Sequence, residues 1–143
     1  MSDRALLDSN VLAYAFDSTA AEKQAIARAL VEEGISQQKP FVVSLQNINE
    51  FFSIVTTKTH YRLSLRDASD AADGFLAKLP CYCPDTRTTE YALALLKLYA
   101  MPFWDALIAA VMIENSILTI YTENDKDFRK IPGIKVINPF RKK

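Results

Sequence analysis

Apolar residues along this chain alternate between short continuous runs and helical periods, a pattern that predicts strands and helices in turn. Ala5-Leu6-Leu7 is a first short run ahead of Asp8, and apolar character resumes from Val11 to Ala15 after Ser9-Asn10. Ala21, Ala25, Ile26, Ala29 and Leu30 trace the stripe of a helix over residues 20–33, with Ser18 or Thr19 as its cap and Gly34 as its stop. Phe41-Val42-Val43 is a second strand, introduced by Pro40 and closed by Ser44, after which Leu45, Ile48, Phe51, Phe52 and Val55 recur at helical spacing. A further helix opens at Ser64 or Leu65, carries Ala68, Ala71, Ala72, Phe75 and Leu76 inward, and ends at Pro80. Cys81-Tyr82-Cys83 is a third strand. Thr86 or Thr88 caps a helix through Tyr91, Leu93, Ala94, Leu96 and Leu98, which ends before Pro102. Phe103-Trp104 leads into Asp105 to Asn115, so poor in polar positions that it is expected to be packed on several sides. Ile117 to Tyr121 and Ile134 to Ile137 complete the strands. The alternation predicts a single α/β domain over residues 1–143, with a mostly parallel central sheet flanked by helices on both faces.

Composition narrows the possibilities. A length of 143 residues, half of them hydrophobic, suits one domain able to bury a core without disulfides or structural metal. Equal counts of Lys+Arg and Asp+Glu, 17 each, exclude a histone-like or polybasic membrane-binding chain. Cys81 and Cys83 have no other thiol to pair with, and His60 is the sole histidine, so neither a disulfide framework nor a zinc site is expected. The longest uncharged apolar run, Ala106 to Ile113, falls short of the roughly 18 residues of a membrane span. MSDRALLDSN lacks the pattern of a secretory signal, and a cytoplasmic location is expected.

In a parallel α/β sheet, ligands bind beyond the carboxyl ends of the strands, near a switch in strand order. Asp8 follows the first strand directly, and Thr122 to Asp127 follow another. Glu50 and Asp105 stand out because their neighbours are apolar. Each has a simpler reading too: Asp8 in a polar turn, Glu50 paired with a lysine or arginine, Asp105 as a helix cap. Should these carboxylates converge, they would raise one another's pKa unless a cation intervened, and oxygen donors select Mg²⁺ or Mn²⁺.

Leu6-Leu7-Asp8-Ser9-Asn10-Val11-Leu12, Gln46 through Asn49-Glu50-Phe51, Phe103-Trp104-Asp105-Ala106-Leu107-Ile108-Ala109-Ala110, and Tyr121-Thr122-Glu123-Asn124 with Asp127-Phe128 fall in order along the chain. Together they resemble the PIN-domain nucleases, and among these the VapC-like toxin ribonucleases of type II toxin–antitoxin pairs. The resemblance implies that Asp8, Glu50 and Asp105 bind Mg²⁺ or Mn²⁺ and that a metal-activated water cleaves single-stranded RNA. It places Asn124 where the family has Asp or Asn, and Asp127 as a further acid; Asp125 could compensate for the amide. Ser9 and Thr122 take supporting roles. A VapB-like antitoxin and a homodimer formed through early helices are implied partners. The alternatives are a housekeeping RNA-processing nuclease and a PIN-like interaction module without activity. A phosphoaspartate phosphatase would need an acid where the chain has Asn10. Phe16, Tyr61 and Trp104 could stack on bases, and Phe16, Phe51 and Phe52 could wall a groove, but core packing is the expectation for each. Arg129, Lys130, Lys135, Arg141, Lys142 and Lys143 form an acid-free basic end that could serve as a rim for phosphates.

Overall fold

Residues 3–58 and 61–141 are described by the computed structural model; His60, Lys142 and Lys143 lie outside them. β1 (Ala5–Leu7) is buried throughout and pairs in parallel with β2 (Phe41–Ser44) on one side and β4 (Thr119–Tyr121) on the other. β3 (Cys81–Tyr82) extends the sheet beyond β2, and β5 (Lys135–Ile137) extends it beyond β4. The order is β3-β2-β1-β4-β5, parallel at every pairing. Parallel neighbours need crossovers, and helices supply them. α1 (Ser9–Tyr14) and α2 (Ala21–Ile35) link β1 to β2, and α3 (Leu45–Thr57) and α4 (Leu65–Lys78) link β2 to β3. α5 (Thr86–Tyr99) and α6 (Phe103–Glu114) lead to β4, and α7 (Asp125–Phe128) to β5.

Strand alternation divides the core between the two faces of the sheet. Leu7, Phe41 and Val43 pack with Val11, Val31, Phe51 and Phe75 of α1 to α4. Leu6, Val42 and Ile120 pack with Leu95, Ile108, Met112 and Phe128 of α5 to α7. The expected architecture, helices on both faces of a parallel sheet, is therefore the one observed. α6 owes its uniform apolarity to burial of Ala106 through Met112. Among the described residues no single helix is long and apolar enough to cross a membrane.

Several local expectations are corrected. Val11 to Ala15 lies in a helix and its end, not a strand, because Asp8 takes an extended backbone and accepts the Ser9 N–H, capping α1. Neither Ser18 nor Thr19 caps α2; Asp17 instead takes the Thr19 N–H and hydroxyl, at 2.9 and 2.5 Å, closing a turn ahead of the helix. The buried side of α2 is Ala27, Val31 and Gly34, while Ala21, Ala25, Ile26 and Ala29 are exposed. Gly34 sits inside that helix rather than ending it, and a Cβ there would stand 3.2 Å from Phe41 Cβ. Asp85, not Thr86 or Thr88, caps α5, with Thr88 completing the capping box. Leu76, Leu93 and Leu98 turn outward. α6 starts at Phe103, so Asp105 lies in its first turn and Pro102 holds the cap position. Ahead of it, Ala100 adopts a left-handed conformation (φ 52°), a strained choice for alanine that reverses the chain between α5 and α6.

Candidate active site

The chain leaves β1 toward β2 and β3, then returns to β4 and β5 on the opposite side, so the order switches between β1 and β4. Asp8 stands at that point. Its N–H donates to Tyr121 O (3.0 Å), continuing the β1–β4 ladder, and its side chain is buried. One carboxylate oxygen accepts from Ser9 N (2.7 Å) and Asn47 Nδ2 (3.2 Å); the other accepts from the Thr122 hydroxyl (2.7 Å) and, at longer range, Asn10 Nδ2 (3.4 Å). Burial nevertheless raises its pKa against these lowering bonds.

Two more acids are brought to the same end of the sheet. Glu50, on the second turn of α3, accepts from the Ser9 hydroxyl at 3.1 Å and from Gln46 Nε2 at 3.2 Å. Burial raises its pKa, and the charge of Asp8 adds to the effect. Asp105 arrives on the first turn of α6. A helix N-terminus favours an anion there, yet burial, followed by the charges of Asp8, Asp127 and Glu50, pushes its pKa up to about 6. Among the described residues no lysine or arginine forms an ion pair with Asp8, Glu50 or Asp105. Glu50 is thus half-buried but, among the described residues, not paired with the lysine or arginine that a simpler reading expects.

The loop after β4 brings the remaining candidates. Thr122 is fully buried and takes the Asn124 N–H (3.1 Å) on the oxygen whose proton goes to Asp8. The Asn124 amide donates to Asp105 Oδ2 at 3.3 Å, so it meets that carboxylate as a neutral donor. Asp127 faces Asp105 closely enough to raise it but is itself bound to Lys130 at 3.1 Å. Asp125 is occupied elsewhere. Its carboxylate is shared by Arg129 (3.1 Å) and Arg141 (3.0 Å), whose hydrogen bonds and charges hold it below the usual carboxylate range despite burial. The basic C-terminal stretch is consequently interleaved with Asp125 and Asp127 in space, although it is free of acids in sequence.

A family model for the PIN domain matches residues 5–134. The chain belongs to the PIN domain family. Solved structures agree on the fold. A toxin–antitoxin complex from Klebsiella pneumoniae matches with a TM-score of 0.68 at 23% identity, covering 96% of this chain and 99% of the other. VapC20 of Mycobacterium tuberculosis, a sarcin–ricin loop cleaving toxin, gives 0.69 at 18% identity, with 87% and 93% covered. VapBC2 of Rickettsia felis, bound to a DNA fragment from its promoter, gives 0.67 at 20% identity, with 94% and 98% covered. Comparison with curated protein sequences finds no match.

The acids gathered at this end of the sheet offer oxygen atoms alone, a chemistry that would suit a hard divalent cation better than zinc or copper. Among the described residues no three acids, histidines or cysteines are drawn together closely enough to hold an ion by themselves. A stability measurement follows from the raised pKa values. The folded chain holds the Asp105 proton up to about pH 6, whereas the unfolded chain releases it near 3.8. Raising the pH through this interval therefore costs stability, about 1 kcal/mol after allowance for solvent screening of a half-buried group. Metal-free protein should melt lower at pH 7.5 than at pH 5, and Mg²⁺ should recover the difference. A melting temperature that rises over that range without metal would contradict the uncompensated cluster.

Three residues beside these acids lie within the sequence blocks but are given no role by them: Asn10, Gln46 and Asn47. Asn10 accepts the Glu123 N–H (3.1 Å) and so ties the β4 loop to α1. Asn47 is legible only as the third residue after Ser44, a capping-box spacing. The aromatics divide. Phe51 is fully buried between Phe16 and Phe75, at centroid distances of 5.5 and 5.1 Å, and Phe52 is half-buried against the same core. Tyr61 is half-buried as well. Trp104 departs from the core-packing expectation, with 60% of its surface exposed.

Proposed function

We propose that this protein is a Mg²⁺- or Mn²⁺-dependent endoribonuclease that hydrolyses phosphodiester bonds of single-stranded RNA, acting as the toxin of a type II toxin–antitoxin pair. The observation that carries this reading is the gathering of Asp8, Glu50 and Asp105 at the switch point, each raised in pKa by burial and the latter two also by the charge of Asp8, with no lysine or arginine paired to them among the described residues. Membership of the PIN family and the toxin identity of structural neighbours support it.

In this reading Asp8, Glu50 and Asp105 hold the ion, with Asn124 and Asp127 beside them. Once bound, the ion supplies a water of lowered pKa and positive charge for the phosphate oxygens. The chain's own groups keep the carboxylates aligned. Thr122, Asn47 and the Ser9 N–H hold Asp8, the Ser9 hydroxyl and Gln46 hold Glu50, and the Asn124 amide holds Asp105. Arg129 and Arg141 stay more than half exposed while paired with the buried Asp125, and so keep donors free to face the RNA backbone. Residues 1–143 act as one cytoplasmic domain, and a homodimer is the proposed assembly. A VapB-like antitoxin is the proposed inhibitor.

Purified protein should cleave an unstructured RNA oligonucleotide with Mg²⁺ or Mn²⁺, stop in EDTA, and resume when the ion is restored in excess. Cleavage undiminished by EDTA overturns the metal requirement, and no cleavage of any single-stranded RNA overturns the ribonuclease. Expression of the chain alone should arrest growth, and co-expression with a short upstream open reading frame should restore it. Growth unaffected by the chain alone counts against a toxin.

A further inference from the structure

Beside the carboxylates, between α3 and the start of α6, lies an open groove of about 400 Å³. Leu45, Pro84 and Leu107 give it apolar surface, Trp104 forms a wall, and Glu50 belongs both to this groove and to the acidic site. The indole is positioned from two sides. Phe103 packs edge-on against it at 5.1 Å, and the Trp104 backbone carbonyl accepts from Gln46 Nε2 at 3.0 Å. The same Nε2 donates to Glu50 Oε2 at 3.2 Å. Two acceptors on one nitrogen fix which way the amide points, and they leave Gln46 Oε1 buried with no hydrogen-bond partner among the described residues. A buried acceptor left unpaired is costly, as is a large aromatic face left in water. The exposed indole face stands in a groove that continues through Glu50 into the acidic site, while Gln46 Oε1 lies beneath the groove surface, and a flat ring that follows a strand into that site is the occupant this shape suits.

Resting on the ribonuclease reading, we infer that this groove seats one unpaired nucleobase of the substrate RNA, stacked on Trp104 next to Glu50. Asn49 and Ser53 at the groove offer polar contacts to the base edge. Single-stranded RNA is recognised through splayed bases stacked on aromatic side chains, so a base held beside Glu50 would select the nucleotide that flanks the cut.

The chain's only tryptophan is the one in the groove, which makes its fluorescence a direct reporter. Cleavage-deficient Asp8→Asn protein, titrated in Mg²⁺ with a short single-stranded RNA, should show quenched Trp104 emission. The same oligonucleotide with abasic positions should bind without quenching. Adding Trp104→Leu should weaken binding of end-labelled RNA roughly ten-fold, and Trp104→Phe should recover most of it. RNA that binds with unchanged emission and equal affinity for the leucine variant overturns the nucleobase site and leaves the ribonuclease standing. Emission that responds only to an antitoxin protein, and not to RNA, makes the groove a protein-docking face and also overturns it. Failure of the parent chain to cleave or bind any single-stranded RNA overturns the ribonuclease reading and this site together.

Discussion

Asp8→Asn should reduce RNA cleavage by roughly a hundred- to a thousand-fold while leaving the metal-free protein at least as stable as the parent. The two halves of this result have one cause. Asp8 is the acid fixed by the largest set of bonds, from α1, α3 and the β4 loop, and it is the most deeply buried of the cluster. An asparagine keeps one oxygen to accept from Ser9 N and Asn47 Nδ2. Its new NH₂ meets the Thr122 hydroxyl, which can turn to accept but already receives Asn124 N and Asn10 Nδ2, so that contact weakens. Against this stands removal of a buried charge whose pKa is raised by desolvation. The substitution therefore exchanges an imperfect hydrogen bond for relief of charge, and Mg²⁺ should no longer raise its melting temperature. Asp8→Ala provides the contrast. It orphans the buried donors of Ser9, Asn47 and Thr122 and should cost about 3 kcal/mol. Cleavage by Asp8→Asn at the parental rate would sink the carboxylate mechanism.

What can be read from the sequence depends on whether a residue's role is local. Leu6-Leu7-Asp8 and Ile120-Tyr121-Thr122 are legible because a buried parallel strand is a run of apolar residues, and a polar residue at its end marks the ligand-facing edge. Glu50 and Asp105 are legible because charge amid apolar neighbours needs a reason. Alanine-rich α2 misleads, since alanine gains little from burial and its spacing does not distinguish the inner face from the outer. Trp104 misleads in the opposite way. Its apolar neighbours belong to the buried face of α6, whereas its own position in the first turn faces the groove. Asn10, Gln46 and Asn47 act through partners dozens of residues away, apart from their short-range caps, and no local pattern announces such a partner.

Asn47→Ala should be the most destabilising of the site substitutions that carry no change in charge, by about 3 kcal/mol, or roughly 10 °C in melting temperature for a domain of this size. Asn47 is wholly buried and serves two structures at once. Its side-chain oxygen accepts the Ser44 N–H and hydroxyl, each at 2.9 Å, closing the capping box that starts α3 directly from β2. Its amide nitrogen donates to Asp8 at 3.2 Å. Alanine therefore removes the reciprocal half of the capping box, although the residue 47 N–H still donates to Ser44 Oγ, and leaves buried groups on Ser44 and Asp8 short of partners. Asn47→Asp separates the two roles. It retains an acceptor for Ser44 but sets a second carboxylate against Asp8, so its penalty in metal-free protein should grow between pH 5 and pH 7.5 and shrink again with Mg²⁺. The alanine penalty should be nearly flat over the same range, because it adds no titrating group. Chemical denaturation of both variants at the two pH values, with and without Mg²⁺, reads the difference. A melting temperature for Asn47→Ala within 2 °C of the parent would mean that α3 and Asp8 hold their places without it; a flat profile for Asn47→Asp would mean that the Asp8 side of the contact carries no charge worth relieving.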